Sequence, residues 1–173
     1  MFIIFTGNGK GKTTAALGQA LRAIGNGKKV LMIQFIKGPW KSGEDVSHTM
    51  LSPYMHIVKK GRGFVNLPGD IHPFDVHLQA AVEGLDYAEQ EGKSGKWNIV
   101  ILDEIWNALK LRLLSIEEIS HALKIITPHV DHLIMTGRDC PQEFIDRADL
   151  VTEMREIKHP FAKGLVGKKG VEY

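Results

Sequence analysis

The sequence is short of the features that would place a protein outside the cell or across a membrane. Its 173 residues hold one cysteine, Cys140, so no disulfide can close within the chain, and this usage is compatible with a reducing, cytoplasmic setting. No apolar stretch approaches the roughly 18 residues of a spanning helix. The opening residues Phe2-Ile3-Ile4-Phe5 already read as a strand, so no signal peptide is expected. Charge of one sign is also missing. Lys and Arg number 22 against 20 Asp and Glu, a formal net charge of +2, which gives little reason to expect nucleic acid or an anionic membrane surface as the main partner. The basic segment Lys59-Lys60-Gly61-Arg62 is expected to be a solvated turn. No internal repeat or low-complexity tract interrupts the chain.

What is present fits one α/β domain spanning residues 1–173. The length favours a single unit, and 43% hydrophobic residues suffice to fill its core. Residues Thr6 to Thr14 read T-G-N-G-K-G-K-T-T. This glycine-rich stretch follows an apolar strand and opens a helical pattern, the context of a phosphate-binding loop. Glycines let backbone N–H groups converge on phosphate oxygens, Lys12 adds charge, and Thr13 can place its hydroxyl on Mg²⁺. The start is irregular: the usual spacing puts the first glycine at position 6, where Thr6 stands and Gly7 follows.

Strand-length apolar runs alternate with helix-period segments, predicting a three-layer α/β fold with a mostly parallel central sheet. Leu17, Leu21 and Ile24 mark a first helix, closed by Gly25-Asn26-Gly27. Val30 to Phe35 is the next strand, and residues 36 to 54 read as a long loop. A short strand near His56 to Val58 and the glycine-rich stretch Gly61 to Gly69 lead to a helix from about Asp75 to Glu91. A buried strand, Ile99 to Leu102, ends in Asp103-Glu104. Ser115 and Glu118 form a capping box for the helix carrying Ile119, Leu123 and Ile126. A strand from His132 to Met135 is followed by Thr136-Gly137-Arg138, a short helix by Pro141 to Arg147, and a last strand lies near Leu150 to Met154. From about Lys158 a basic, glycine-rich C-terminal tail is expected to be flexible without ligand.

Ligands of open α/β sheets sit beyond the carboxyl ends of the strands. The loop, Gln34 to Gly38, Asp103-Glu104 and Thr136 to Arg138 all fall there, so they are expected to share one site. Asp103 and Glu104 stand where acidic residues help hold Mg²⁺ in phosphate-loop proteins. Arg138 reads either as a second cationic contact to phosphates or as a surface arginine, and Arg22 as a ligand contact or a solvated side chain. His129 with His132, and His72 with His77, are incomplete as metal sets. Cys140 has no base nearby in sequence and reads as an inert thiol.

Taken together, Thr6 to Ala16, Gln34-Phe35-Ile36-Lys37-Gly38 with Trp40 and Gly43-Glu44, Val100 to Glu104, Thr136-Gly137-Arg138 and Lys158-His159-Pro160-Phe161 resemble the phosphate-loop ATP:corrinoid adenosyltransferases. Order and spacing hold along the whole chain. The resemblance implies a P-loop NTPase-like (RecA-like) fold, and transfer of the 5′-deoxyadenosyl group of ATP to cobalt(I) of a corrinoid with release of tripolyphosphate. It implies that ATP is a co-substrate bound opposite to its direction in ordinary phosphate-loop ATPases, with Mg²⁺, or Mn²⁺, as the metal. Carried over residue by residue, Gly7, Asn8, Gly9, Lys10, Gly11, Lys12, Thr13 and Thr14 bind the nucleotide, with Arg22 and Asn8 near the nucleoside. Lys12 and Lys10, with Arg138, stabilise the departing tripolyphosphate; Thr13 and Glu104 look like Mg²⁺ ligands, with Asp103 beside them. A flavodoxin-type reductase as electron donor and a homodimer are implied in the same way.

The corrinoid side departs from the family pattern. Members carry Gly-Phe-x-Trp, whose aromatics help remove the lower axial ligand of cobalt; this chain reads Gly63-Phe64-Val65-Asn66. Phe64 matches and Asn66 replaces the tryptophan, so a second aromatic is expected from Phe74 or Trp40, or the corrinoid is held differently. The N-terminal extension that covers the nucleotide in many members is not seen before residue 1, so closure is expected from the tail or a neighbouring subunit. Two other classes stay open. A small ATPase or nucleoside kinase would release ADP, and a non-catalytic corrinoid- and nucleotide-binding module would form no cobalt–carbon bond.

Overall fold

The computed structural model describes residues 1–38, 40–159 and 170–171. Six strands, β1 (Phe2–Thr6), β2 (Val30–Gln34), β3 (Met55–Lys59), β4 (Ile99–Asp103), β5 (His132–Thr136) and β6 (Leu150–Glu153), form one sheet in the order β3-β2-β4-β5-β1-β6. Every neighbouring pair is parallel. The expected mostly parallel sheet is therefore parallel throughout.

Period-two alternation sends successive strand residues to opposite faces, and helices cover both. Phe2, Ile4, Leu31, Ile33, Val100 and Leu102 face α3 (Phe74–Gly92), α4 (Ile105–Lys110), α5 (Ile116–Ile126) and α6 (Gln142–Ile145). Ile3, Phe5, Met32 and Ile101 pack instead against Ala16 and Ala20 of α1 (Lys12–Ile24). Small residues on α1 let it lie close to the sheet, which sets its amino end directly behind β1. On the other face Gly92 ends α3 against Ile126, whose side chain would stand 2.8 Å from any added Cβ. The capping box at Ser115 forms as the sequence predicts, with Glu118 N–H donating to the Ser115 hydroxyl and the Glu118 carboxylate accepting from Ser115 N–H.

Besides the short helix α4, which the sequence pattern does not mark, two elements depart from the sequence reading. Residues 36 to 54 are not loop throughout, since Glu44–Met50 forms helix α2. None of its residues is buried, so it has no apolar stripe to read. Ion pairs hold it: Lys37 with Glu44, and Lys59 with Asp45 at 2.5 Å. The basic segment is correspondingly not a solvated turn. Lys59 ends β3 and is committed to Asp45, and the Lys60 ammonium lies 5.0 Å from the centre of the Tyr87 ring. The expected flexible tail falls largely on residues 160–169, outside the described residues.

Replacing Ser115 with Ala removes one cap bond and should lower unfolding free energy by about 1 kcal/mol. Ile119→Ala, in the fully buried centre of the same helix, should lower it by about 2–5 kcal/mol. Urea unfolding of both variants checks the ranking, and equal losses would contradict the placement of the core.

Candidate functional site

The phosphate loop forms between β1 and α1, and the structure explains its irregular start. Thr6 ends the strand, with its hydroxyl accepting from Cys140 N–H at 3.3 Å. The conformation that needs glycine falls one residue later. Gly7 has φ 96°, and a Cβ there would meet the Met154 carbonyl at 2.5 Å. Gly9 N–H donates to that same carbonyl at 2.7 Å. The chain leaving β6 thus braces the loop from behind, while Gly11, at φ 115°, turns it into the helix. Lys12 is buried, and its ammonium donates to the carbonyls of Gly7 and Gly9, both at 2.7 Å. An ammonium has three donors, so one remains for an anion. Desolvation, followed by the charge of Arg138, lowers the Lys12 pKa.

Asp103 is the fixed point on the acidic side. It is fully buried, with Oδ1 accepting from the hydroxyls of Thr13 at 2.9 Å and Thr136 at 2.7 Å, and Oδ2 from Gln34 Nε2 at 3.2 Å. Burial raises its pKa while these hydrogen bonds oppose the rise. Because β5 lies between β1 and β4, Thr136 at its end stands between the loop and the acidic pair, and its hydroxyl also accepts from Glu104 N–H at 2.9 Å. Glu104 turns away at φ 65°, a left-handed geometry uncommon for a residue with a side chain. Its pKa is pushed up to about 6, by burial first and by the neighbouring Asp103 charge second.

Asn107 went unremarked in the sequence. Its amide Nδ2 donates to Glu104 Oε2 and its Oδ1 accepts from Arg138 N–H at 2.7 Å, so it links the ends of β4 and β5. The spacing Glu104-x-x-Asn107, one helical turn, is the signal that would have found it. Lys37, with a pKa lowered by burial, completes the ring of charge.

These groups surround a cavity of about 1160 Å³. Asn8, Gly9, Lys10, Gly11, Lys12, Thr13, Thr14, Glu104 and Arg138 line it, together with Lys37, Asn107, Leu67 and His159. Gly7 and Asp103 stand behind the wall. Arg22 is not brought there within one chain. It lies ten residues beyond Lys12 along α1, about 15 Å at the helical rise, and lines a separate hollow of about 270 Å³ with Asn26, Lys28 and Asp131. Cys140 has its pKa raised to about 12 by burial, in keeping with an inert thiol.

The whole chain, residues 1–173, matches the family model described as ATP:corrinoid adenosyltransferase BtuR/CobO/CobP. The chain belongs to this family. It is 37% identical over 174 residues to the corrinoid adenosyltransferase of Escherichia coli strain K12, covering all of this chain and 85% of that protein. To the corrinoid adenosyltransferase CobA of Salmonella typhimurium it is 35% identical, with the same coverage. To that of Pseudomonas aeruginosa it is 33% identical, over all of this chain and 83% of the relative. No helix among the described residues is long and apolar enough to cross a membrane.

The loop that departs from the family pattern lies outside the cavity wall except at Leu67. Phe64 is exposed and packs on Trp40, with ring centroids 5.1 Å apart. Asn66 is exposed too, at φ 54°, and its N–H donates to Asp70 Oδ2 at 2.8 Å. Asp70 also accepts from His72 N–H at 3.0 Å and lies 2.9 Å from His77 Nε2. These bonds, the His72 N–H foremost, hold its pKa down to about 2.

Among the described residues no three His, Cys, Asp or Glu side chains gather as a metal set. Mg²⁺ at nucleotide sites needs fewer, since water and phosphate oxygens fill most positions. Thr13 and Glu104 fit that role. The Thr13 proton is spent on Asp103, which leaves the hydroxyl lone pairs for a cation, and Glu104 puts a second carboxylate at the cavity wall.

A folded-state pKa of about 6 against an ordinary 4.5 means the folded protein binds this proton more tightly than the unfolded chain. The resulting stability is present in full below about pH 4.5 and is lost as pH rises through about 6. In metal-free protein Glu104→Gln should therefore gain stability over the parent across that window. Urea midpoints between pH 4 and 8 check this, and a difference independent of pH would contradict the assigned Glu104 environment.

Proposed function

We propose that this chain transfers the 5′-deoxyadenosyl group of ATP to the cobalt(I) of a corrinoid. The reading is carried by one arrangement: a phosphate loop with two lysines, Glu104 and Arg138 all line one large cavity, with the buried Asp103 behind its wall, in a chain of the corrinoid adenosyltransferase family. The cobalt(I) electron pair attacks C5′ of the ribose, and the C5′–O bond breaks. Cobalt becomes formally cobalt(III), and the bond electrons leave with tripolyphosphate.

No water or hydroxyl has to be activated, so the chain's work is to hold the triphosphate and accept its growing charge. Backbone N–H groups of Asn8 and of Lys10 to Thr14 take phosphate oxygens, while Gly9 N–H stays on the Met154 carbonyl and braces the loop. Lys12 supplies its remaining donor from a fixed position, Lys10 closes from the exposed side, and Arg138 adds a cation opposite Lys12. Thr13 and Glu104 would hold Mg²⁺, or Mn²⁺, which when bound would neutralise phosphate charge. Asp103 has both oxygens occupied by Gln34, Thr13 and Thr136, and its role is to orient the Thr13 hydroxyl. Asn107 keeps Glu104 and Arg138 in one frame. Arg22 has no part in this reading within a single chain. Phe64 and Asn66 belong to the corrinoid side. The setting is cytoplasmic, in a single domain over residues 1–173 that pairs as a homodimer and draws electrons from a flavodoxin-type reductase.

An anaerobic assay with chemically reduced corrinoid, ATP and Mg²⁺ should yield a light-sensitive adenosylated product and tripolyphosphate in equal amounts. ADP and phosphate would instead mark a small ATPase or kinase, and binding of both ligands without a cobalt–carbon bond would mark a non-catalytic module. Lys12→Ala should lower turnover by about 10²–10³-fold, the range for removing a donor to developing charge, with corrinoid affinity little changed. Unchanged turnover would remove Lys12 from the phosphate role.

A further inference from the structure

Lys37 is a cation on the cavity wall whose partner stands on the same wall. Its ammonium pairs with the carboxylate of Glu44, the first residue of α2, and both residues line the cavity that the phosphate loop opens into. Little of either is open to solvent, 31% of the Lys37 side chain and 14% of that of Glu44. The backbone under Lys37 is fixed. The N–H groups of Lys60 and Gly61 donate to the Gln34 carbonyl at 2.9 and 3.2 Å, and a Cβ at Gly61 would meet the Lys37 nitrogen at 2.6 Å. Gln34 stands in register with Asp103, and Phe35 N–H donates to the Asp103 carbonyl at 3.1 Å, so the chain carrying Lys37 leaves the sheet beside the acidic end of β4. In the strand order, that end of β2 lies three spacings from the loop at β1, about 14 Å. Lys37 therefore faces the cavity from the side opposite Lys10 and Lys12.

Holding α2 does not require this pair. Asp45 already ties the helix down, accepting from the Lys59 ammonium at 2.5 Å and from Ser42 N–H at 2.7 Å, and Lys59 also donates to the Trp40 carbonyl at 2.8 Å. A second pair of half-buried charges carries a desolvation cost at both ends. Lysine is a point charge on a flexible stem, so on a fixed backbone its ammonium can change partners while Lys59 keeps α2 in place. Breaking the C5′–O bond leaves the bond electrons on tripolyphosphate, which departs with one negative charge more than the triphosphate had in ATP. A polyanion of that charge competes with the single charge of Glu44 for the ammonium.

Resting on the triphosphate reading above, we propose that Lys37 is a polyphosphate-binding residue that exchanges Glu44 for the phosphate chain, reaching it from the β2 side of the cavity. Glu44 takes the ammonium back when tripolyphosphate leaves, and so opposes retention of the product. The two halves of one ion pair thus act in opposite directions on the same ligand.

The test uses the full chain with Lys37→Met, Lys37→Arg, Glu44→Gln and the double variant of Lys37→Met with Glu44→Gln. Calorimetry measures binding of inorganic tripolyphosphate with Mg²⁺, and kinetics with chemically reduced cobalamin gives kcat and the corrinoid KM. Lys37→Met should weaken tripolyphosphate binding about tenfold and lower kcat by a similar factor, with the corrinoid KM within about twofold of the parent, and Lys37→Arg should recover most of the loss. Glu44→Gln should tighten tripolyphosphate binding about threefold, and should change it by less than about twofold once Lys37 is Met. If the pair only braces α2, both single variants break the same contact and shift binding in the same direction, which overturns the proposal. Unchanged binding in Lys37→Met also overturns it, as does a Glu44→Gln gain that is equal with and without Lys37. A parent that binds tripolyphosphate through Lys37 but forms no adenosylated product overturns the transferase reading and leaves the Lys37 assignment standing.

Discussion

The site depends on one buried carboxylate. Asp103 ends β4 with no access to solvent, and its two oxygens collect Gln34 from β2, Thr13 from α1 and Thr136 from β5. A carboxylate is costly to bury unless its lone pairs are met. Meeting them here ties the phosphate loop's helix to the ends of three strands. Thr136 passes the connection to the backbone of Glu104, and Asn107 returns it to Arg138. The loop, the Thr13 and Glu104 oxygens and Arg138 are thereby parts of one hydrogen-bonded frame.

That frame also accounts for a division of labour between neighbours in sequence. Asp103 points into the protein and is spent on orientation, whereas Glu104, flipped by its left-handed backbone, lines the cavity. Lys12 is similarly held, by the carbonyls of Gly7 and Gly9, rather than left to find its ligand. Charges fixed before the substrate arrives need little rearrangement as the leaving group departs. A triphosphate that leaves whole needs such a cradle more than it needs a general base.

Much of this was legible in the sequence because it is written in local patterns. Alternating apolar runs gave the six strands, the loop's composition gave its chemistry, and Ser115 with Glu118 gave α5 its start. What escaped has no local signature. Helix α2 buries nothing and rests on Lys37–Glu44 and Lys59–Asp45, so no hydrophobic period betrays it. Helix α4 is six residues long, with Ile105, Trp106 and Ala108 all buried, too short to show one. Asn107 acquires its role only when β5 inserts beside β4. Arg22 matches in sequence, but the length of α1 carries it to the far end of the sheet. The Trp40 ring lies against two glycines 25 positions apart, Gly38 and Gly63, that meet only in space.

The central claim is that bond breaking occurs at C5′ and not at phosphorus. It is tested most directly with ATP carrying ¹⁸O in the oxygen that bridges C5′ and the α-phosphorus, incubated anaerobically with reduced corrinoid and analysed by mass spectrometry. Attack at C5′ leaves the label in tripolyphosphate and none in the adenosylated corrinoid. Label retained in ADP, with no labelled tripolyphosphate, would show phosphoryl chemistry at this loop and contradict the account.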